Sequence, residues 1–395
     1  IPDIISAAIV TGCDALHPGY GFLAESPSLA EICRECNLTF IGPSADVIAQ
    51  MGNKATARAM MRKAGLPIIP GVEEPVHDTT AAREVARRIG YPVLIKAVAG
   101  GGGRGMRVAQ DERELIRLFP VAQSEAQAAF GNGAVYIERY LEEPRHVEVQ
   151  VLADHHGHVV ALGERDCSLQ RRYQKLVEES PAPNLSNKVR ENLAKAAVKA
   201  AKAIGYTNAG TFEFLVDKDG RFYFTEANTR IQVEHPVTEM VTGIDLVQWQ
   251  IRVAAGETLD FSQRDVRTRG HAIEVRITAE QPDHDFQPSC GEISGLVLPG
   301  GPGIRVDSHL YPGYVVPPYY DSLLAKVIAW APTRDEAIAR LRRALAETVI
   351  GGVDTTTGFH LRLLDDPAFR AGQISTRFVQ QFLARSGPMT ASLEL

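Results

Sequence analysis

The sequence lacks the features that mark membrane, secreted and nucleic-acid-binding proteins. No apolar run approaches the length that spans a bilayer, and the first residues do not resemble a signal peptide. Five cysteines among 395 residues are too few for a disulfide framework, which favours a reducing compartment. A net charge of -6 gives no reason to expect nucleic-acid binding. We expect a cytoplasmic globular protein, although a mitochondrial matrix protein without its leader would look the same.

Spacings typical of metal ligands are also scarce. Cys33 and Cys36 form a C-x-x-C pair, but no second pair of this kind and no histidine pair accompanies it. The pair lies in SPSLAEICREC, where Ser26 as N-cap and Pro27 at the first helical position predict a helix. We interpret both cysteines as structural residues of that helix.

The order of helical and strand-like stretches predicts an α+β (mixed α/β) protein. IISAAIVTGCDALHPG and LAEICRECNLTFIGPS each predict a helix followed by a strand, which is typical of α/β layering. The chain opens as if inside a βαβ unit, so we expect that an N-terminal segment precedes it. From about residue 145 the stretches become strand-rich, and RDEAIARLRRALAETVI is the last clear helix.

A hairpin brings two carboxylates together in TFEFLVDKDGRFYFTEANTR. A two-residue loop at Asp219-Gly220 would place Glu213 directly opposite Glu226. Like charges that face each other across a sheet repel, unless a cation binds between them. Asn228 adds an oxygen on the same face, and these hard ligands suit Mg²⁺ or Mn²⁺. The alternatives are a solvated sheet face or a bulge that shifts the register.

The hairpin leads into EANTRIQVEH, in which every second residue is polar: Glu226, Asn228, Arg230, Gln232 and Glu234. An extended chain would present all five on one face. The guanidinium of Arg230 suits a small oxyanion, and Glu234 is a candidate general base. The pattern therefore predicts that metal ligands, an anion-binding residue and a general base follow one another along one strand.

A glycine loop lies in VLIKAVAGGGGRGMRVA between two apolar runs. It lacks GK[ST] and is followed by a strand, which excludes a Walker loop and a Rossmann fingerprint. Such a hairpin can fold over phosphates, with Lys96 reaching one of them, or it can be a mere mobile loop.

Two later stretches are also rich in polar residues. HVEVQV places His146, Glu148 and Gln150 on one face of a strand. The basic run RRYQK is predicted, from its composition alone, to be a solvated surface.

Taken together, these stretches resemble biotin carboxylase, the ATP-grasp component of biotin-dependent carboxylases such as acetyl-CoA carboxylase of fatty acid biosynthesis. Nine strings match the family in order and extend to about Ala384. The strings are HPGYGFLAES, MGNKATAR, IKAVAGGGGRGM, IERYLEEPRHVEVQVLAD, ERDCSLQRRYQK, FEF, EANTRIQVEHPVTE, GHAIEVRI and PPYYDSLLAKV.

The resemblance implies an ATP-grasp fold in four parts. Residues 1–43 would be the remnant of a Rossmann-like N-terminal domain, and 44–67 a helical linker. Residues 68–140 would form the lid with its mobile glycine loop. Residues 141–395 would contain the ATP-grasp core and a β-rich C-terminal domain.

The resemblance also implies the roles of individual residues. Those implied to bind ATP are Lys54, Lys96, Gly102, Gly103, Met106, Glu138, Arg139, Tyr140, Leu141, His146, Gln170, Tyr173 and Leu215. Glu213, Glu226 and Asn228 would bind Mg²⁺ or Mn²⁺. The substrate residues would be Lys175, Arg230, Gln232 and Val233 for bicarbonate, Glu234 as the base, Arg276 for the biotin enolate, and Tyr20 beside biotin.

In the implied mechanism Glu234 deprotonates bicarbonate, which attacks the γ-phosphate of ATP. The resulting carboxyphosphate breaks down to CO₂ and phosphate, and the phosphate takes the N1′ proton of biotin. The partners would be a biotin carboxyl carrier protein or domain, a carboxyltransferase and, in the full-length form, a second copy of the chain.

Several features depart from the family pattern. Tyr173 stands where a histidine is usual, and Ala99 where a further glycine is usual, which would stiffen the loop slightly. The N-terminal ANRGEIA-like motif is absent, so part of the N-terminal sheet and of the dimer contacts would be missing. There is no biotinyl AMKM sequence, so biotin would arrive on another chain or region.

Two alternative readings remain. One is another ATP-grasp ligase that phosphorylates bicarbonate, such as half of carbamoyl phosphate synthetase, which would respond to ammonia rather than biotin. The other is an inactive fragment, whose truncated N-terminal sheet prevents folding or dimerisation.

Overall fold

The computed structural model describes residues 1–72, 74–97 and 106–386. None of the helices in these ranges combines the length and the apolar character that crossing a bilayer requires. In chain order the helices are α1 (Pro2–Val10), α2 (Pro27–Glu35), α3 (Ala45–Gly52), α4 (Lys54–Lys63), α5 (Thr79–Ile89), α6 (Glu112–Phe130), α7 (Asn187–Ala203), α8 (His235–Thr242), α9 (Leu246–Ala254), α10 (Arg334–Glu347), α11 (Thr357–Asp365), α12 (Pro367–Arg370) and α13 (Phe378–Ser386).

The strands are mostly antiparallel. Their bounds are β1 (Ala15–Leu16), β2 (Thr39–Phe40), β3 (Val93–Ala97), β4 (Met106–Ala109), β5 (Val135–Arg139), β6 (Arg145–Ala153), β7 (Val159–Arg171), β8 (Gln174–Ser180), β9 (Asn208–Val216), β10 (Phe222–Asn228), β11 (His271–Thr278), β12 (Glu280–Gln281), β13 (Gln287–Pro288), β14 (Gly291–Glu292), β15 (Gly295–Val297), β16 (Ile304–Ser308), β17 (Val315–Val316), β18 (Leu323–Ala331) and β19 (Val349–Gly351).

One eight-stranded sheet, in the order β10-β9-β6-β7-β8-β11-β18-β16, forms the centre of the molecule. A separate three-stranded sheet, β4-β3-β5, packs against α5 and α6 around a core of its own. The short strands β1 and β2 pair in parallel, as the predicted α/β layering requires. The mixed α/β fold class is confirmed, while the division of the chain into four parts stays a prediction.

Alternation along the central strands separates an apolar face from a polar one. On β6, Val147, Val149 and Val151 are buried against α7. The intervening residues Glu148 and Gln150 therefore point to the opposite face, where they are buried as well. On β11, Ile273, Val275 and Ile277 pack against α10 and α11 in the same way. The arrangement leaves a row of buried polar side chains on one face of the sheet.

Polar side chains cap the N-terminal ends of several helices. Ser26 caps α2, as predicted, by accepting from Leu29 N. Cys33 of that helix is buried and Cys36 half-buried, and both are free thiols. The helical stretch after residue 44 is broken at Asn53, whose extended backbone and side chain cap α4.

The loop between β9 and β10 differs from the predicted two-residue turn at Asp219-Gly220. Asp217 N donates to Arg221 O at 2.8 Å, so the loop has three residues instead of two. A two-residue loop would pair Lys218 with Arg221, whereas in the structure Asp217 takes that place, so the predicted loop is wrong. Asp217 also accepts hydrogen bonds from Asp219 N and Arg221 N through its side chain, which stabilises the longer loop.

A β-bulge then restores the predicted register of the two carboxylates. The pairing shifts between Phe224 and Glu226, and beyond that point Glu226 lies directly opposite Glu213, as predicted. The bulged residue Thr225 donates its hydroxyl to Glu213 O at 3.0 Å. The bulge adds one residue to β10 and thereby compensates for the longer loop.

The prediction of one strand through residues 226–235 is wrong beyond Asn228, where β10 ends. Thr229 N donates to the Glu25 carboxylate at 3.0 Å instead of to a neighbouring strand. The chain then turns, and Glu234 becomes the residue before α8. The polar residues that follow Asn228 are therefore brought to the site by a turn.

The prediction that α10 is the last clear helix is also wrong, since α11, α12 and α13 follow it. Their apolar residues, among them Phe359, Leu363, Phe369 and Phe378, complete the core beneath β11 and β18. This core holds the strand that carries Arg276.

Candidate active site

Lys175, on β8, lies at the centre of the polar face. Its Nζ lies 2.6 Å from Glu148 and 2.6 Å from Glu234, 3.0 Å from Glu213, and 3.4 Å from Gln232. Burial opposes the charge, but the three carboxylates outweigh it and raise the pKa of Lys175 well above its ordinary value. The ammonium ion of β8 therefore joins residues from two other strands, β6 and β9, and from the turn after β10.

Glu234 lies between two cations. Its Oε1 accepts from Lys175, and its Oε2 accepts from Arg276 Nη2 at 3.0 Å. Burial favours the neutral acid, but Lys175, Arg276 and the nearby Arg165 hold the pKa of Glu234 well below its usual range. Glu234 is thus an ionised carboxylate that is only 2% exposed.

Arg165, on β7, stabilises the position of Glu148. It is fully buried, with Nε 2.5 Å from Glu148 Oε1, and its two terminal nitrogens donate to Gln150, Thr238 and Thr211. Glu148 is therefore held between Arg165 and Lys175 with no freedom to turn.

Glu213 is surrounded by donors. Its Oε1 accepts from Lys175, from Asn228 Nδ2 at 2.9 Å and from Gln232 Nε2 at 3.1 Å. Its Oε2 lies 2.8 Å from His146 Nε2. Burial raises its pKa, but Lys175 and His146 outweigh this effect and hold the pKa of Glu213 well below its ordinary value.

The predicted metal ligands fit a divalent cation. Glu226 lies opposite Glu213, is 42% exposed at its side chain, and has Lys54 Nζ at 3.4 Å. A half-turn of the Asn228 amide would bring its oxygen toward Glu213. Carboxylate and amide oxygens on one face are the hard ligands that Mg²⁺ prefers.

A second cluster, His146, Glu148 and Glu213, also has ligand atoms within 4.8 Å of one another. It suits a cation less well, because the Lys175 ammonium contacts both of its carboxylates, whereas Lys175 contacts only Glu213 of the Glu213–Glu226 pair and Glu226 is 42% exposed. The Glu213–Glu226 pair is therefore the better candidate.

The two lysines predicted to bind phosphates come from two elements, α4 and β3. Lys54 begins α4 and lies beside Glu226, whereas Lys96 on β3 lies 3.9 Å from Glu138 on β5. Arg58, which the sequence did not indicate, donates to Glu138 at 3.1 Å. Gly102 and Gly103 lie outside the described residues.

The residues predicted to surround the base come from the central sheet, from the three-stranded sheet and from the connection between them. Gln170 Nε2 lies 2.8 Å from His146 Nδ1, and Leu215 pairs with His146 across β9 and β6. Tyr173 is 61% exposed at the tip of the β7–β8 hairpin with a positive φ of 68°. Met106 pairs with Lys96, Arg139 ends β5, and Tyr140 and Leu141 follow it at the connection to β6.

Arg230 is held by a residue from the N-terminal part of the chain. Its Nε donates to Glu25 Oε2 at 3.1 Å, and its Nη2 donates to Asn228 Oδ1 at 3.1 Å. The carbonyl of Val233 accepts from Lys326 Nζ at 2.9 Å, which fixes the turn before Glu234. Tyr20 is 41% exposed.

Several residues of the site were not predicted. Glu148 shares the predicted polar face of HVEVQV, so the alternation could have indicated it. Four others lie within the matched strings but were given no role, and only the fold shows their contacts with the site: Glu25, Arg58, Arg165 and Lys326. Cys167 Sγ lies 4.0 Å from Glu234 Oε1, and burial raises its pKa well above its ordinary value, so it remains a thiol.

Comparison with known families and structures identifies the family of this chain. The chain matches the models of the biotin carboxylase N-terminal domain (residues 1–48), the carbamoyl-phosphate synthase L chain ATP-binding domain (residues 53–262) and the biotin carboxylase C-terminal domain (residues 274–381). It is 57% identical to a biotin carboxylase of Nostoc over 96% of this chain and 85% of that protein. It is 54% identical to one of the pyruvate carboxylase subunits of Methanothermobacter thermautotrophicus, over 97% of this chain and 78% of the relative.

A solved structure has the same fold. The biotin carboxylase domain of Hydrogenobacter thermophilus 2-oxoglutarate carboxylase, a dimer in complex with MgADP, ADP and bicarbonate, is 50% identical with a TM-score of 0.88. The match covers 96% of this chain and 84% of that one. The chain therefore belongs to the biotin carboxylase family, ATP-grasp ligases that use ATP to carboxylate biotin.

Proposed function

We propose that this chain transfers the carboxyl group of bicarbonate to carrier-bound biotin in two steps, with carboxyphosphate as the intermediate. The observation that supports this most strongly is the position of Glu234, a buried and ionised carboxylate between Lys175 and Arg276. Glu234 is placed to act as a base on bicarbonate. The two cations beside it, Lys175 and Arg276, suit the binding of that anion and the stabilisation of the biotin enolate.

In the first step Lys175, Arg230, Gln232 and the backbone of Val233 would bind bicarbonate, and Glu234 would take its proton. Without substrate, Lys175 and Arg276 make Glu234 a weak base, because they stabilise its charge. Bicarbonate would draw Lys175 toward its own oxygens, and the loss of that contact would raise the pKa of Glu234. Substrate binding would thus activate the base. Deprotonated bicarbonate then attacks the γ-phosphorus of ATP, and the bond to ADP breaks.

Lys54 and Lys96 would contact the phosphates of ATP. Glu138 to Leu141, with Met106, His146, Gln170, Tyr173 and Leu215, would surround the base and ribose. Gly102 and Gly103, outside the described residues, would contact the phosphates. Glu213, Glu226 and Asn228 would hold Mg²⁺ or Mn²⁺, which neutralises phosphate charge when it is bound.

In the second step carboxyphosphate would break down to CO₂ and phosphate, and the phosphate would remove the N1′ proton of biotin. Arg276 would stabilise the negative charge that develops on the ureido oxygen, and N1′ would form the bond to CO₂. Tyr20 would flank the biotin ring. The roles of Arg276 and Glu234 are linked, because Arg276 Nη2 already lies 3.0 Å from Glu234.

We propose a biotin carrier protein or domain as the immediate partner and a carboxyltransferase as the next. We propose an acyl-CoA carboxylase as the holoenzyme. Related chains belong to pyruvate and 2-oxoglutarate carboxylases as well, so acyl-CoA, pyruvate and 2-oxoglutarate are the three acceptors to test. We also propose a homodimer, supported by the dimeric 2-oxoglutarate carboxylase domain. A cytoplasmic location is supported by its bacterial relatives.

The proposal is tested by measuring ADP release with Mg·ATP and bicarbonate, with and without free biotin. We expect stimulation by biotin and none by ammonia. Stimulation by ammonia alone would favour a carbamoyl phosphate synthetase-like reaction instead. ATP binding without any turnover would favour an inactive chain.

A further inference from the structure

A second pair of facing carboxylates lies directly behind Arg276. Glu178 on β8 and Glu274 on β11 are cross-strand partners, and both are fully buried. The sequence motifs gave neither residue a role. Two buried carboxylates in direct opposition repel each other strongly, unless one of them carries a proton or a cation lies between them.

The two residues differ in their contacts. Glu178 Oε1 accepts from Arg276 Nε at 2.6 Å and lies 2.5 Å from Arg276 Nη2. Both oxygens of Glu274, and Oε2 of Glu178, have no hydrogen-bond partner among the residues that the structure describes, so Glu178 alone of the two has a partner. A buried ionised carboxylate without partners would be very costly, whereas the neutral acid is far less so. The geometry thus assigns the charge to Glu178 and the proton to Glu274.

The Arg276 guanidinium is consequently fixed along the edge formed by Nε and Nη2. Its Nη2 contacts both Glu178 and Glu234, and its Nε contacts Glu178. Nη1 makes no hydrogen bond to any of the described residues, so it remains available to a substrate oxygen. The fork of an arginine is planar, so fixing one edge also sets the direction of the other.

We propose that Glu178 is a positioning residue that orients the Arg276 guanidinium beside Glu234, and that Glu274 is its uncharged neighbour. This inference rests on the proposed function, in which Arg276 stabilises the biotin enolate. Glu178 would thus contribute to the second step, the carboxylation of biotin, through Arg276 and without contact with a substrate.

The surroundings of the pair agree with this assignment. The titratable groups that act on the pair are Arg276 of β11, Lys326 of β18, Lys175 of β8 itself, Cys167 of β7 and Glu234 before α8. His235, the first residue of α8, follows Glu234. Burial raises the pKa of Glu178 to about 7 despite Arg276, and burial and Glu178 raise that of Glu274 well above its ordinary value. The His235 imidazole stays neutral, since burial lowers its pKa to about 3.

The test compares Glu178→Gln with Glu274→Gln, which are isosteric changes at facing positions. ADP release is measured with Mg·ATP and bicarbonate, with and without biotin, across pH. We expect Glu178→Gln to lower the biotin-stimulated rate about tenfold, with the KM for ATP unchanged, because Arg276 loses a charged partner. Glu274→Gln should change that rate by less than about twofold, since it replaces one neutral group by another.

The pH profile separates positioning from packing. Glu178 is charged above its pKa of about 7 and neutral below it, so the biotin-stimulated rate of the wild type should fall on the acid side. This acid limb should disappear in Glu178→Gln and persist in Glu274→Gln. Equal losses in the two variants, or a Glu178→Gln variant with full biotin stimulation, would overturn the inference.

Two controls keep the outcomes distinct. If Glu178→Gln did not fold, Glu178→Asp would decide, because it retains the charge: it should keep the acid limb with a smaller loss of rate, and loss of that limb would overturn the inference. Wild-type protein without biotin stimulation would instead contradict the proposed function itself.

Discussion

The Lys175 ammonium lies 2.6 Å from both Glu148 and Glu234, so one cation compensates two buried carboxylates of the site. Lys175→Met should leave Glu148 with Arg165 alone and Glu234 with Arg276 alone, and lower the free energy of unfolding by about 3 kcal/mol. We also expect kcat/KM for bicarbonate to fall at least about 100-fold. Chemical denaturation and steady-state kinetics check both effects.

The matched control for this change is Lys195→Met on α7, where the lysine side chain is 75% exposed. It should alter neither the free energy of unfolding nor the kinetics beyond the error of measurement. Similar losses in the two variants would show that Lys175 has no special role.

The metal assignment predicts that Glu226→Gln weakens the response to Mg²⁺. The Glu226 side chain is 42% exposed and has Lys54 at 3.4 Å, so its loss should hardly change the melting temperature. Removing one charged ligand should raise the Mg²⁺ concentration for half-maximal turnover about tenfold. A titration of turnover with Mg²⁺ at fixed ATP measures this, with Glu257→Gln, at an exposed ion pair with Arg252, as the control. An unchanged Mg²⁺ dependence would remove Glu226 from the metal site.

The contact between Glu25 and Arg230 predicts that the N-terminal part of the chain affects the binding of bicarbonate. Glu25 accepts from Arg230 Nε and from Thr229 N, so Glu25→Ala should loosen the turn after β10. We expect the KM for bicarbonate to rise about tenfold, with kcat within about twofold. Glu31→Ala, at an exposed pair with Arg34, is the control. A wild-type KM in Glu25→Ala would argue against this contact.

The buried ion pairs of Glu179 predict a stability change with pH. Burial raises its pKa, but His271 and Arg334 outweigh this and lower it to about 2. Because the folded pKa is depressed, the stabilisation is present above the unfolded pKa near 4.5 and is lost as pH falls toward 2. The effect amounts to about 3 kcal/mol.

Denaturant unfolding between neutral and acidic pH, for the wild type and for Glu179→Gln, measures this contribution. The difference between the two proteins should shrink steadily as the pH falls through that range. Glu191→Gln, at a side chain that is 69% exposed, should parallel the wild type throughout. A difference between wild type and Glu179→Gln that is independent of pH would contradict the assignment.

The sequence alone predicted the fold class and the facing pair of Glu213 and Glu226, but only part of the local geometry. The pair came from a two-residue loop, whereas the structure has a three-residue loop and a bulge at Thr225. Neither feature has a strong local signal, because the Asp217 side chain selects the loop and tertiary packing accommodates the bulge.

Polar alternation was a good guide on strands and a poor one at the turn. It placed His146, Glu148 and Gln150 on one face, as the contacts of Arg165 and Lys175 with this face require. The same alternation extended β10 too far, because the side chain of Glu25, far earlier in the chain, takes the backbone N–H of Thr229. Contacts between residues so distant in sequence have no local signature.

The most direct test of the central claim is biotin-stimulated ADP release in the wild type and in Glu234→Gln. Glutamine keeps the size of Glu234 and its place between Lys175 and Arg276 but cannot take a proton. We expect clear stimulation by biotin in the wild type and a loss of at least about 100-fold in the variant, with nucleotide binding retained. A Glu234→Gln variant with the biotin-stimulated rate of the wild type would contradict the account.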